Sequence, residues 1–159
     1  MIDPGEYYVS DQDVVISTLL GSCISACLYD PVHRVVGMNH FLISKEDQDK
    51  DSPVCDIDPG KYGICAMESL IDEMLITGAQ RKNLHAKIFG GGSMFKPFEE
   101  CSYTYCVGNV NGIFIRKFLR ESGICLVSED LGGNTGRVIR FHSENFTVYV
   151  KKMRKNAGF

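Results

Sequence analysis

The sequence has no long apolar segment, no surplus of positive charge and no repeated or low-complexity region. No run reaches the about 18 apolar residues that a membrane-spanning helix needs, so we expect no membrane insertion. The net charge of −3 argues against a general nucleic-acid-binding surface. The first residues lack the basic and apolar regions of a signal peptide, which favours a cytoplasmic location.

The seven cysteines form no recognisable disulfide or metal-binding pattern. Their odd number and irregular spacing argue against a disulfide framework, so we expect reduced thiols. Cys23 and Cys27 belong to a strand-like segment, which would separate them by about 13 Å, too far for two ligands of one zinc ion. The glycine run Gly90–Gly92 lacks the residues of a phosphate-binding loop and is interpreted as a tight turn. We therefore expect neither a metal nor an organic cofactor.

At 159 residues, with 44% hydrophobic and 23% charged residues, the chain has the composition of one globular domain. Regular patterns follow one another at about residues 6–10, 13–18, 23–29, 35–43, 59–77, 84–89, 111–122, 124–128, 138–142 and 146–150. The segments 59–77 and 111–122 have the apolar spacing of helices, and the others resemble strands, with 124–128 as a buried one. This order predicts a mixed α+β domain and argues against a regular β-α-β alternation.

Cys23 stands directly after a corner between two strand-like runs. Gly21 and Ser22 form this corner, and neither has the bulk to shield the sulfur. His40 ends the return arm of the same predicted hairpin. A cysteine and a histidine on paired strands supply a thiol nucleophile and its base, and such a pair acts on amides or esters. The ordinary alternative is that Cys23 is a small buried apolar residue.

Two further groups complete a catalytic arrangement around this pair. A hydroxyl on the preceding strand, from Ser17 or Thr18, would orient the imidazole. Backbone N–H groups at Gly21 and Ser22 would stabilise the oxyanion of a tetrahedral intermediate.

Three blocks of sequence, taken together and in order, resemble a known protein family. They are Ser-Thr-Leu-Leu-Gly-Ser-Cys at 17–23 with its spacing to His40, Ala-Lys-Ile-Phe-Gly-Gly-Gly-Ser-Met-Phe at 86–95, and Ser-Glu-Asp-Leu-Gly-Gly-Asn-Thr-Gly-Arg at 128–137. In this order the blocks resemble the CheD family, the chemoreceptor glutamine deamidases of bacterial and archaeal chemotaxis. The resemblance extends from Tyr8 to Lys152.

The resemblance implies one CheD-like domain over residues 1–159, with layered α/β/β/α architecture and mixed sheets. An exposed acidic loop is expected at about 44–60, beside the entrance to the site, and a tail at about 153–159. The implied activity is hydrolysis of selected glutamine side chains on methyl-accepting chemotaxis receptors to glutamate and ammonia, through a cysteine thioester. The implied partners are the helical cytoplasmic region of these receptors and a CheC-like phosphatase.

The family's site residues transfer to this chain position by position. The nucleophile maps to Cys23, the histidine to His40 and the third catalytic position to Ser17, with Thr18 as the alternative. The third position is a threonine in the family, and an arginine expected before the second helix is replaced by Val110.

Two other functions remain open at this stage. The chain would be a non-catalytic module that binds and regulates a CheC-like phosphatase, or a cysteine amidase with a different protein substrate. Ammonia release from a receptor fragment separates the first from the deamidase, and a substrate panel separates the second.

Overall fold

The computed structural model describes residues 1–42, 63–93 and 107–153. The predicted acidic loop at 44–60, the first part of the predicted helix 59–77 and the tail after Met153 lie outside these ranges. The described elements, in chain order, are β1 (Tyr7–Ser10), β2 (Val15–Leu20), β3 (Ile24–Asp30), β4 (Val35–Asn39), α1 (Gly63–Ile76), a short 3-10 helix (Arg81–Asn83), β5 (His85–Gly90), α2 (Val107–Glu121), β6 (Cys125–Leu131), β7 (Arg137–His142) and β8 (Thr147–Lys152).

The strands form two sheets. The larger has the order β1-β4-β3-β5-β6, and its pairs are antiparallel except for the parallel pair β5–β6. The smaller is antiparallel, with the order β2-β7-β8. The chain therefore passes from the small sheet to the large one between β2 and β3. The predicted mixed α+β class is confirmed.

Both described helices lie on one side of the larger sheet, α1 against β1 and β4 and α2 against β3, β5 and β6. The other side of that sheet packs against the small sheet. In the described ranges the layers therefore run helix, sheet, sheet, and the second helical layer of the implied α/β/β/α order has no counterpart there. Each interface between layers is filled by its own apolar cluster.

β3 is central and buried along its whole length. Ile24, Ala26 and Leu28 belong to the cluster under the helices, whereas Cys27 and Tyr29 belong to the cluster between the sheets. This is the predicted alternation of faces, since successive side chains of a strand point in opposite directions. Cys23 packs against the cluster between the sheets as well.

The structure differs from the sequence predictions at three places. α2 begins at Val107 rather than at 111, because the glycine and asparagines of its first turn are poor helix formers that hide its start. β6 is exposed rather than buried, because it is an edge strand of the large sheet. Cys65 is disulfide-bonded, so the expectation of reduced thiols is wrong there, although Cys23, Cys27 and Cys125 are free.

Candidate active site

The corner before β3, together with Cys23, is held by hydrogen bonds to its three carbonyl groups. The carbonyls of Gly21 and Cys23 accept bonds from the glycine run Gly90–Gly92, both at 2.8 Å. The Ser22 carbonyl accepts a bond from Asn111 Nδ2 at 2.9 Å. These bonds fix the backbone around Cys23, whose side chain is partly exposed. A nucleophile in this position has a fixed direction of attack.

A second set of contacts fixes the glycine run itself. The Gly132 N–H donates to the Gly90 carbonyl at 2.9 Å, and the Ser93 N–H donates to the Gly133 carbonyl at 2.8 Å. The buried Arg137 guanidinium holds this turn by donating to the Gly132 carbonyl and to Asp130, whose carboxylate lies 2.8 Å away. Arg137 is thus connected to the corner through two layers of backbone hydrogen bonds.

His40 lies on the same face of the large sheet as Cys23. Ile24 and Phe41 pair across the two strands through two backbone hydrogen bonds of 2.9 Å. This register places Ser25 opposite His40 and places Cys23 at the diagonal position. Diagonal neighbours in an antiparallel pair are about 7–8 Å apart at their Cα atoms, within reach of a long side chain.

Thr18, and not Ser17, contacts His40. Thr18 Oγ1 is 2.8 Å from His40 Nδ1, and the same hydroxyl donates to the Ile2 carbonyl at 2.8 Å. β2 alternates between buried and more exposed positions, and Thr18 belongs to its inward set together with Ile16 and Leu20. Ser17 belongs to the outward set, so its side chain cannot serve as the predicted orienting group.

Burial of His40 controls its charge. The side chain is 2% exposed, and this loss of solvation lowers the pKa of His40 to about 4, although the nearby carboxylate of Asp3 opposes the shift. Its Nε2 is buried and has no hydrogen-bond partner among the described residues. The imidazole is therefore neutral near pH 7, with one ring nitrogen bonded to Thr18 and the other available.

The pKa of the Cys23 thiol is raised by burial, and a hydrogen bond from its own backbone N–H opposes the shift. The pKa of Cys27, fully buried on the same face of β3, is raised more strongly by burial. Of these two thiols, only Cys23 is partly open to solvent and adjacent to the corner. Near pH 7, Cys23 is therefore a neutral thiol and His40 a neutral imidazole.

A cavity of about 190 Å³ opens between the start of α2 and the turn after β6. Ile113, Leu131 and several glycines line it. Asn111 connects the same part of α2 to the Ser22 carbonyl. Neither Cys23 nor the two corner residues line the cavity, so it is not part of the site described above.

The sequence interpretation missed Asn111, Ile2 and Arg137 as parts of the site. Arg137 ends the third block that carried the family resemblance, and Asn111 directly follows Val110, the position where the family has an arginine, so both had a signal in the sequence. Ile2 has no signal in the sequence, because its role depends on a backbone carbonyl.

In the described ranges, no group of three or more histidine, cysteine, aspartate or glutamate side chains is placed to bind a metal ion. No helix described there is long and apolar enough to cross a membrane.

Comparison with known proteins gives consistent matches. The family model for CheD chemotactic sensory transduction matches residues 44–152. A probable chemoreceptor glutamine deamidase CheD 1 of Geobacter sulfurreducens is 49% identical over 153 residues, covering 96% of this chain and 76% of the relative. The corresponding CheD 2 of Shewanella oneidensis is 47% identical over 150 residues, covering 94% and 74%. A CheD protein of Methylobacillus flagellatus is 43% identical over 153 residues, covering 96% and 72%.

The family model begins downstream of Cys23 and His40, but the alignments to the relatives cover nearly the whole chain and so include both residues. Identity of 43–49% at this coverage is sufficient to assign the family. The chain therefore belongs to the CheD family.

Proposed function

We propose that this chain is a cytoplasmic chemoreceptor glutamine deamidase in which Cys23 is the nucleophile and His40 the general base. The observation that carries the proposal is the state of His40: it shares a face with Cys23, its Nδ1 contacts Thr18 at 2.8 Å, and its Nε2 has no hydrogen-bond partner in the part of the chain that the structure describes. The substrate class follows from the relatives, which are named chemoreceptor glutamine deamidases.

The reaction begins with transfer of the Cys23 thiol proton to His40 Nε2. The thiolate attacks the carbonyl carbon of the glutamine side chain, and the C–S bond forms as the carbonyl electrons move to oxygen. His40 then donates its proton to the departing nitrogen, and the C–N bond breaks to release ammonia. A water molecule, deprotonated by His40, attacks the thioester, and glutamate leaves as the C–S bond breaks.

Backbone N–H groups at the corner are the proposed donors to the oxyanion. The carbonyls of Gly21, Ser22 and Cys23 are all bonded elsewhere, so the peptide planes are fixed before substrate binds. Donors that are fixed in advance stabilise the developing charge without reorganisation. The bonds from the glycine run and from Asn111 thus support catalysis without contacting the substrate.

The geometry favours an enzyme over a non-catalytic module. A buried ring nitrogen without a partner costs about 1–3 kcal/mol of stability relative to a satisfied one. A protein that only binds a CheC-like phosphatase has no need for this arrangement, whereas a general base requires an available nitrogen. Interaction with a CheC-like phosphatase stays a prediction, as does recognition of the helical region of the receptors.

The decisive experiment measures ammonia release and glutamine-to-glutamate conversion on a purified receptor cytoplasmic fragment. We expect Cys23→Ala to abolish both while its thermal unfolding stays close to wild type. Cys27→Ala is the matched control, because Cys27 lies on the same face of β3 but is fully buried. Cys125→Ser controls for the exposed thiol. Retained turnover in Cys23→Ala would refute the assignment.

A further inference from the structure

We propose that the N-terminal segment Ile2–Glu6 is a positioning element that determines which nitrogen of His40 carries the proton. The inference rests on the proposed role of His40 as base. It concerns a backbone carbonyl, that of Ile2, and the hydrogen bond that this carbonyl receives from Thr18.

The argument starts from the single proton of a hydroxyl group. Thr18 Oγ1 lies 2.8 Å from two partners, the Ile2 carbonyl oxygen and His40 Nδ1. A carbonyl oxygen only accepts hydrogen bonds, so the Thr18 proton is directed to Ile2. Thr18 must then accept a hydrogen bond from His40, which requires the proton on Nδ1. A neutral imidazole with Nδ1–H has its lone pair on Nε2, the atom that the proposed mechanism uses as base.

The same segment holds the backbone of His40 from both sides. The His40 N–H donates to the Glu6 carbonyl at 2.9 Å, and the His40 carbonyl accepts from the Gly5 N–H at 2.8 Å. The Asp3 N–H donates to the Glu6 carboxylate at 2.7 Å and closes a turn in the segment. These bonds attach the Gly5–Glu6 end of the segment to His40. The turn at Asp3 then fixes where Ile2 lies relative to His40.

Two contacts attach the segment to the site. The Ile2 side chain is 7% exposed and belongs to the apolar cluster between the sheets. The Ile2 N–H donates to the Ser17 carbonyl at 2.9 Å, next to Thr18 on β2. Since these contacts place the Ile2 carbonyl, shortening the Ile2 side chain should release it from Thr18 without altering either catalytic side chain.

The test combines turnover with a direct measurement of the tautomer. The full-length chain is labelled with ¹⁵N at histidine, and His40 is assigned by its absence in a His40→Gln variant. Protonated and unprotonated ring nitrogens differ in ¹⁵N chemical shift. At pH 7 we expect wild type to have Nδ1–H, and we expect Ile2→Ala to mix the two tautomers. We also expect kcat on the receptor fragment to fall about tenfold with little change in KM. Ile2→Val, which keeps a branched side chain, should rescue both values.

Val36→Ala is the matched control, because Val36 is buried in the same cluster but lies on the distal part of β4. It should lower the unfolding temperature while leaving the tautomer and kcat unchanged. An Nε2–H tautomer in wild type would overturn the inference, even if Ile2→Ala failed to fold. Loss of kcat in Ile2→Ala without a tautomer change would overturn it too. Absence of any deamidation by wild type would refute the proposed function instead, since the spectrum is read independently of activity.

Discussion

At the scale of single residues, His40 is buried, and its Nε2 has no hydrogen-bond partner among the residues that the structure describes. Desolvation lowers its pKa to about 4, and the negative charge of Asp3 only partly compensates. A histidine in water is half protonated near pH 6.5, so an exposed base would lose activity just below neutrality. His40 instead stays neutral across the physiological range, and burial also raises the pKa of the Cys23 thiol on the same face of the sheet.

The pH dependence of kcat/KM should reflect this burial. We expect the acidic limb of the receptor-deamidation profile to lie near pH 4 to 5, because protonation of His40 removes the base only there. Initial ammonia-release rates between pH 4 and pH 8, with circular dichroism at each pH to monitor folding, provide the measurement. An acidic limb centred near pH 6.5 in a folded protein would contradict the buried, neutral state of His40.

The two adjacent hydroxyls of β2 give a second prediction. Thr18→Val removes the hydroxyl that contacts His40 while keeping the side-chain volume, and we expect it to lower kcat about 10- to 100-fold. Thr18→Ser should restore much of the activity. Ser17→Ala alters the opposite face of the same strand and should leave kcat close to wild type. Initial ammonia-release rates of the three variants show which hydroxyl orients His40. A loss confined to Ser17→Ala would restore Ser17 as the third catalytic position.

At the scale of elements, the start of α2 determines how closely the helix approaches the glycine run. Gly108, in the first turn of α2, lies against the backbone of Gly91, and the Gly91 N–H in turn donates to the Cys23 carbonyl at 2.8 Å. A side-chain carbon at Gly108 would overlap the Gly91 carbonyl oxygen. The start of α2 thus contacts Gly91, just after β5, and Gly91 in turn is hydrogen-bonded to Cys23.

This contact predicts different outcomes for two glycine-to-alanine substitutions in α2. Gly108→Ala should displace the glycine run and lower kcat at least tenfold, because the support of the Cys23 carbonyl moves. Gly112→Ala, one turn later, meets only an ordinary contact of 3.6 Å to Leu131 and should retain turnover. It should also raise stability by up to about 1 kcal/mol, since alanine favours helix more than glycine does. Equal kcat in the two variants would show that the contact does not support the corner.

At the scale of the whole molecule, the two ends of β3 have separate roles. The corner that carries Cys23 precedes its first residue, Ile24, and its last residue, Asp30, is a buried carboxylate in a hydrogen-bond network. Asp30 accepts hydrogen bonds from the N–H groups of Val32 at 2.8 Å, His33 at 3.0 Å and Gln80 at 2.8 Å. These bonds join the β3–β4 turn to the segment after α1. Burial alone would raise the pKa of Asp30, but the hydrogen bonds outweigh burial and lower it to about 2.

Asp30 should therefore contribute to stability and not to catalysis. The folded state lowers its pKa, so its contribution is complete above about pH 4 and disappears as the pH falls from about 4 to 2. Asp30→Ala should reduce the free energy of unfolding at pH 7 by about 3 kcal/mol and leave kcat at 25 °C unchanged. Urea unfolding at pH 7 and at successively lower pH tests this. A difference between variant and wild type that persists undiminished at pH 2 would contradict the role of its charge.

His40 acts on stability in a different pH interval. Unfolding exposes it and restores an ordinary pKa near 6.5, so the unfolded state binds a proton between about pH 6.5 and 4 and the folded state does not. Stability is therefore lost through His40 as the pH falls over this interval, before Asp30 begins to titrate. His40 thus lowers acid stability, because it is a buried imidazole whose Nε2 has no hydrogen-bond partner among the described residues.

The sequence by itself determined the local features around Cys23. Glycine and serine before a strand of alternating apolar residues predicted a sterically open corner, and the predicted hairpin brought Cys23 and His40 to neighbouring strands. These features are local, because strand alternation and turn chemistry act over a few residues. The order of strands and helices gave the α+β class for the same reason, and the three blocks identified the family.

Only the tertiary structure decided which hydroxyl reaches His40 and what holds it there. β2 belongs to the small sheet, where it pairs with β7, far along the chain, and this pairing turns Thr18 inward and Ser17 outward. The start of α2 and the exposure of β6 depend in the same way on contacts between distant segments. The Ile2 carbonyl carries no sequence signal, because every residue has one. Its effect on His40 exists only where the fold brings Ile2, Thr18 and His40 together.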